Sequence, residues 1–107
     1  MRLRFLPAAE AELIREVTYY AKNGRRGTAV RFQAAVEAAG QMAVHHPLGG
    51  APTFMDTRAY TVKDFPFLLI YRPSSKECLV VAVAATSKEE NYWSSRLGDA
   101  SQETHVK

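Results

Sequence analysis

The chain has 107 residues, enough for one domain with one core. Hydrophobic residues make up 47% and charged residues 23%, a globular balance that excludes intrinsic disorder. No apolar run approaches the roughly 20 residues of a membrane-spanning helix, and 14 Lys and Arg against 11 Asp and Glu leave a formal charge of +3, too mild on its own to point to nucleic acid.

The opening stretch MRLRFLPAAEAEL starts with two arginines but turns acidic before the apolar centre of a secretion signal develops. A cytoplasmic protein is therefore expected. RLRFL (2–6) alternates polar and apolar residues and predicts a strand, which Pro7 ends while opening a helix. From Ala8 to Asn23 the apolar positions Leu13, Ile14, Val17, Tyr20 and Ala21 follow helical spacing. Glu10 and Glu12 fall where the helix dipole favours anions, Lys22 falls in the last turn, and Asn23-Gly24 predicts the stop.

RRG leads to a second helix with Thr28 as its expected N-cap and a stripe of Phe32, Ala35, Val36, Ala39, Met42 and Ala43. Arg25 and Arg26 are read as solvated residues of the turn. Pro47 ends this helix, so 8–46 predicts a helical hairpin, and HHPLGGAP predicts a loop. His45, His46 and His105 have no Cys or carboxylate cluster to complete a metal set, and no metal or cofactor is expected.

Three strands follow. In the first, Tyr60 and Val62 alternate with Thr61 and Lys63, and KDFP makes the turn. In the second, Phe67, Leu69 and Tyr71 alternate with Leu68 and Ile70. In the third, Leu79, Val81 and Val83 alternate with Cys78, Val80, Ala82 and Ala84. Strands apolar on both faces lie inside a covered sheet. The short RPSSKE connection makes the last two an antiparallel pair. The helical hairpin is expected on one face, and KEENYWSSRL, with Tyr92, Trp93 and Leu97 at helical spacing, on the other. Cys78, the sole cysteine, opens an apolar run and is read as a buried, reduced thiol. Residues 98–107, GDASQETHVK, are polar and aperiodic and predict a flexible tail beyond a single domain of 1–97.

The order of elements and the local wording resemble the RelE/ParE superfamily of type II toxin–antitoxin toxins. PAAEAEL, Tyr19-Tyr20, RFQAAVEAAGQMAVHHPLGG, RAYTVKDFPFLLIYR and LVVAVAATSKEENYW carry the likeness, from about Arg2 to Leu97. It implies an α+β fold: an N-terminal strand, a helical hairpin packed on an antiparallel β-meander, and a short C-terminal helix. It also implies a cognate antitoxin as partner.

The superfamily divides by activity. RelE-like members cut mRNA on the ribosome without a metal, using cationic and phenolic side chains. ParE-like members act on DNA gyrase. The two RelE-type arginine positions fall here on Leu68 and Thr86, six residues before Tyr92. The resemblance therefore implies the ParE-like, plasmid-stabilisation branch and a protein that acts by binding. The alternatives are a divergent ribonuclease using Lys63, Arg72, Lys88 and Tyr92, or a non-toxic interaction module. Lys63, Arg72, Lys88, Tyr92, Trp93 and Arg96 are the candidate target-binding set, with the three lysine and arginine positions of the meander expected near one another. Tyr92 and Trp93 have a second reading, as helix-to-sheet packing. An exposed apolar groove beside the sheet is expected to take the antitoxin or to drive homodimer formation, with no membrane involved.

Overall fold

The structure, a computed structural model, describes residues 1–97. The proposed flexible tail at 98–107 lies outside them. A five-stranded sheet carries the helical hairpin on one face. The chain runs β1 (Arg2–Phe5), α1 (Pro7–Asn23), α2 (Thr28–His45), β2 (Ala51–Pro52), a 3-10 turn (Phe54–Asp56), β3 (Arg58–Val62), β4 (Phe67–Pro73) and β5 (Glu77–Ala85). The strand order is β1-β5-β4-β3-β2, with β1 parallel to β5 and the other neighbours antiparallel. A helical turn over 94–97 closes the described chain. The α+β architecture expected from the sequence is the one observed.

Pro7 needs no N–H partner at the first helical position, and α1 starts there. Its inner stripe is Ala9, Leu13, Val17 and Tyr20. Ile14, placed on the stripe by periodicity, is 60% exposed, and Met42 of α2 is 45% exposed. Both lie at the edge of their helix's apolar arc, where the sheet no longer reaches. Tyr20, Phe32, Phe65 and Phe67 form an aromatic cluster between the helices and the β3–β4 turn, with ring centres 5.1 to 5.3 Å apart for each touching pair. Thr28 is not the N-cap of α2. Gly27 holds that position and Thr28 is the first helical residue.

Two further features depart from the sequence reading. First, β2 lies within the predicted loop and pairs Ala51 with Ala59 and Pro52 with Arg58. Two residues, one a proline, carry no periodicity, and an edge strand tolerates the missing donor. Second, β5 does not alternate throughout. Tyr71 pairs with Val80 and Ile70 with Ala82, so Val81 is the extra residue of a β-bulge. The bulge reverses the parity. Val80 and Val83 both pack under the helices, with Ala85 beside them, while Val81, Ala82 and Ala84 face the other way.

That other face holds a second cluster: Ile70, Val81, Ala82 and Ala84 under Trp93 and Leu97, which are 3% and 0% exposed. The C-terminal segment is thus the second cover of the sheet, as its aromatic spacing predicted.

Candidate functional site

The reversal in β5 coincides with the end of β1. The Leu6 N–H donates to the Val80 carbonyl, then Pro7 turns the chain into α1. Beyond Val80 this side of β5 has no neighbouring strand among the described residues. Side chains take over its backbone groups. The Val83 N–H donates to Glu12 Oε1 at 3.0 Å, and Arg96 Nη1 donates to the Val81 carbonyl at 2.9 Å.

Glu12 is the centre of this arrangement. Arg96 donates through Nη1 to Oε1 and through Nη2 to Oε2, both at 2.9 Å, and the Tyr92 hydroxyl donates to Oε2. Glu12 is 5% exposed. Burial pushes its carboxyl upward, but the bonds from Arg96, Tyr92 and Val83 outweigh that and hold it below the usual carboxylate range. Burial and then the Glu12 carboxylate push the Tyr92 phenol well above its usual value. The sequence reading assigned Glu12 to the helix dipole alone. Its position three residues after buried Ala9 and beside Leu13 was the available signal: a carboxylate at the inner stripe of a helix needs partners.

Tyr92, Trp93 and Arg96, read from sequence as target-contacting residues, are therefore tied inward. Tyr92 and Arg96 hold Glu12, and Trp93 is core. Lys88 is exposed, with Nζ 5.2 Å from the Tyr92 ring centre, and the Arg96 guanidinium lies 5.3 Å from the same centre. Beside them a groove of about 340 Å³ runs over β4 and β5. Leu68, Ile70 and Ala84 lie along the two strands, Tyr92 and Trp93 belong to the C-terminal segment, and Thr86, Lys88, Glu89 and Glu90 also line it.

The other candidates are not gathered there. Lys63 sits in the β3–β4 turn and lines a separate cleft with Arg31, Ala34, Ala38 and Phe65 on the helical side. Arg72 is five residues along β4 from Phe67, which at the strand rise puts it roughly 17 Å from the turn end of the sheet. Its Nε is buried without a hydrogen-bond partner among the described residues. The expectation that the meander brings Lys63, Arg72 and Lys88 together is corrected by this geometry: Lys63 and Lys88 share one end of the sheet and Arg72 lies at the other. Arg58, part of the same basic run, is held by the Leu48 and Gly50 carbonyls at 3.0 and 2.9 Å. Cys78 is fully buried, its thiol pushed up by burial, with Sγ 3.5 Å from the Ala43 carbonyl. No group of three or more His, Cys, Asp or Glu among the described residues is placed to hold a metal, and no helix among them is long and apolar enough to cross a membrane.

The family model for the ParE toxin of the type II toxin–antitoxin system parDE matches residues 3–90. Tyr92, Trp93 and Arg96 lie beyond that range. Among solved structures, the chromosomal ParDE TA system from P. aeruginosa has a similar fold, with a TM-score of 0.68 and 18% identity over 79% of this chain and 95% of that one. No curated protein matches the sequence.

Proposed function

The chain belongs to the ParE toxin family of type II toxin–antitoxin systems, and from that membership we propose that it acts by binding DNA gyrase, is neutralised by a cognate antitoxin, and does not cut RNA. One observation carries the last part. At the face where a metal-free ribonuclease needs free cations and a free phenol, the groove presents Leu68 and Thr86, while Tyr92 and Arg96 are engaged by Glu12. A guanidinium already paired with a buried carboxylate is poorly placed to neutralise a phosphorane, and a phenol donating to that carboxylate is a poor proton acceptor. Losing a single charge-stabilising donor costs roughly 10²–10³ in rate, and this face lacks more than one.

The groove beside half-buried Leu68, floored by Ile70 and Ala84 and walled by Tyr92 and Trp93, supports an antitoxin segment docking by apolar contact. Without the antitoxin, the same groove gives the chain a surface for pairing with a second copy.

A supercoiling assay tests the reading. The purified chain should inhibit gyrase-driven supercoiling, and the product of the neighbouring gene should relieve the inhibition. Cleavage of mRNA at the ribosomal A site in a translating extract, abolished by Tyr92→Phe or Lys63→Ala, would overturn it in favour of ribonuclease action.

A further inference from the structure

The end of the helical hairpin holds a charge cluster that the toxin fold does not use. Between Glu16 and Glu37 the sequence has Lys22, Arg25, Arg26 and Arg31 and no carboxylate. All four cations are exposed. Neither ion pair of the described residues, Arg4–Glu77 and Arg96–Glu12, involves them.

The turn that carries them is fixed. The Thr28 N–H donates to the Arg25 carbonyl at 2.9 Å, with Gly27 at φ 83° and ψ −3°, the geometry of the third position of a type II turn. A Cβ on Gly24 would lie 2.7 Å from the Tyr20 carbonyl and 2.9 Å from Thr28 Cβ, so the chain passes there only as glycine. Arg31 folds back over this turn. Its Nη2 donates to Thr28 Oγ1 at 3.2 Å, and a Cβ on Gly27 would sit 3.4 Å from its Nη1. The Arg31 guanidinium is therefore held beside a turn of fixed backbone that carries Arg25 and Arg26.

We propose that this turn binds the phosphate backbone of duplex DNA without reading its sequence. Guanidinium is the side chain whose planar fork matches phosphate, and phosphate contacts need no apolar anchor. The turn itself, Asn23 to Gly27, offers no apolar side chain, and exposed Tyr19 and Val30 lie on the helices to either side of it, so the turn's own surface is the cationic, hydrogen-bonding kind that a phosphate backbone meets. The net charge of +3 is small, so DNA affinity must come from a local cluster.

The test is fluorescence anisotropy of the purified full chain with a labelled duplex of roughly two helical turns and arbitrary sequence. Three phosphate contacts give a slope of log affinity against log salt of about −2.7, or roughly 40-fold weaker binding between 50 and 200 mM salt. Arg25→Ala with Arg26→Ala should bring the slope to about −0.9 and weaken binding at 50 mM salt at least ~10-fold. The control is Arg2→Ala with Lys76→Ala, which removes the same charge beside Glu77, at the opposite end of the sheet from the β3–β4 turn on which Tyr20 packs. It should change binding less than ~2-fold. All four substituted residues are exposed, and Trp93 fluorescence checks that each variant is folded. No duplex binding at 50 mM salt would overturn the proposal. Equal losses in the two double variants would also overturn it, as would binding of a polyglutamate peptide in place of DNA.

Discussion

Replacing Glu12 with Gln changes one atom of the chain and removes a buried charge. The carboxylate accepts four hydrogen bonds, from the Val83 N–H, the Tyr92 hydroxyl and both terminal nitrogens of Arg96. A Gln amide has one oxygen and one NH₂. Whichever way it turns, its NH₂ faces an Arg96 nitrogen that can only donate, and in one orientation the Val83 N–H as well. The Arg96 guanidinium also loses its counter-charge. Side-chain exposures of 6% for Glu12 and 21% for Arg96 make this a largely buried pair. Removing one member of such a pair costs roughly 3–5 kcal/mol, and the partial exposure of Arg96 favours the lower end, about 3. At about 4–8 °C per kcal/mol for a domain of this size, Tm should fall by roughly 12–24 °C. Urea unfolding followed by the fluorescence of Trp93, the sole tryptophan and a sequence neighbour of Tyr92 and Arg96, measures the change. The internal reference is Glu77→Gln. Its Arg4 partner is held through three contacts of 2.8 to 3.1 Å, but the side chains are 47% and 28% exposed for Arg4 and Glu77. That change should cost far less, because an exposed pair is screened by solvent and salt. If Glu12→Gln costs no more than Glu77→Gln, the lock is an exposed pair in effect and the reasoning fails.

Three further outcomes are expected. Tyr92→Phe removes one donor to a charged acceptor and should cost about 1.5–3 kcal/mol in the same urea experiment. Gly27→Ala, at φ 83°, should cost about 1–2 kcal/mol, while Gly27→Asn should cost less because Asn tolerates the left-handed region; thermal unfolding of the two variants compares them. Because the folded-state carboxyl of Glu12 lies below its ordinary value near 4.5, its contribution is fully present above that value and fades as pH falls through the folded-state pKa. The chain should therefore lose stability in acid below about pH 4.5, and Glu12→Gln should flatten that part of the stability profile.

The elements legible in the sequence were those whose pattern is local. Helical spacing marked α1 and α2, and the two-sided apolar runs of β4 and β5 announced a sheet covered twice, with Trp93 and Leu97 in the second cover. What was not legible depends on partners distant in sequence. Glu12 meets Arg96 across 84 residues, and no window of the chain contains both. The separation of Lys63 from Arg72 follows from strand length and from which end of β4 each occupies, and a count of nearby cations ignores both. Ile14 satisfies the helical period yet is exposed, because the width of a helix's buried arc is set by what it packs against.

The bulge at Val81 joins these long-range facts into one constraint on the toxin surface. Pro7 takes the chain away from the sheet, so among the described residues the Val81 carbonyl and Val83 N–H have no strand beside them. Left unbonded in a buried place, such groups cost about 1–3 kcal/mol each. Arg96 and Glu12 supply those bonds and fix the C-terminal turn against α1. Once Arg96 is held there, Trp93 and Leu97 lie over Ile70 and Ala82, and the groove beside Leu68 is the part of the face they leave uncovered. The C-terminal segment thus sets the boundary of the surface available to a partner, although Tyr92, Trp93 and Arg96 lie outside the stretch matched to the family. A truncation before Tyr92 would strip the partners from a buried carboxylate and an edge carbonyl, so loss of toxicity in such a variant would report an unfolded sheet edge. A charge change at exposed Lys88, which makes none of these bonds, tests contact with a target without that ambiguity.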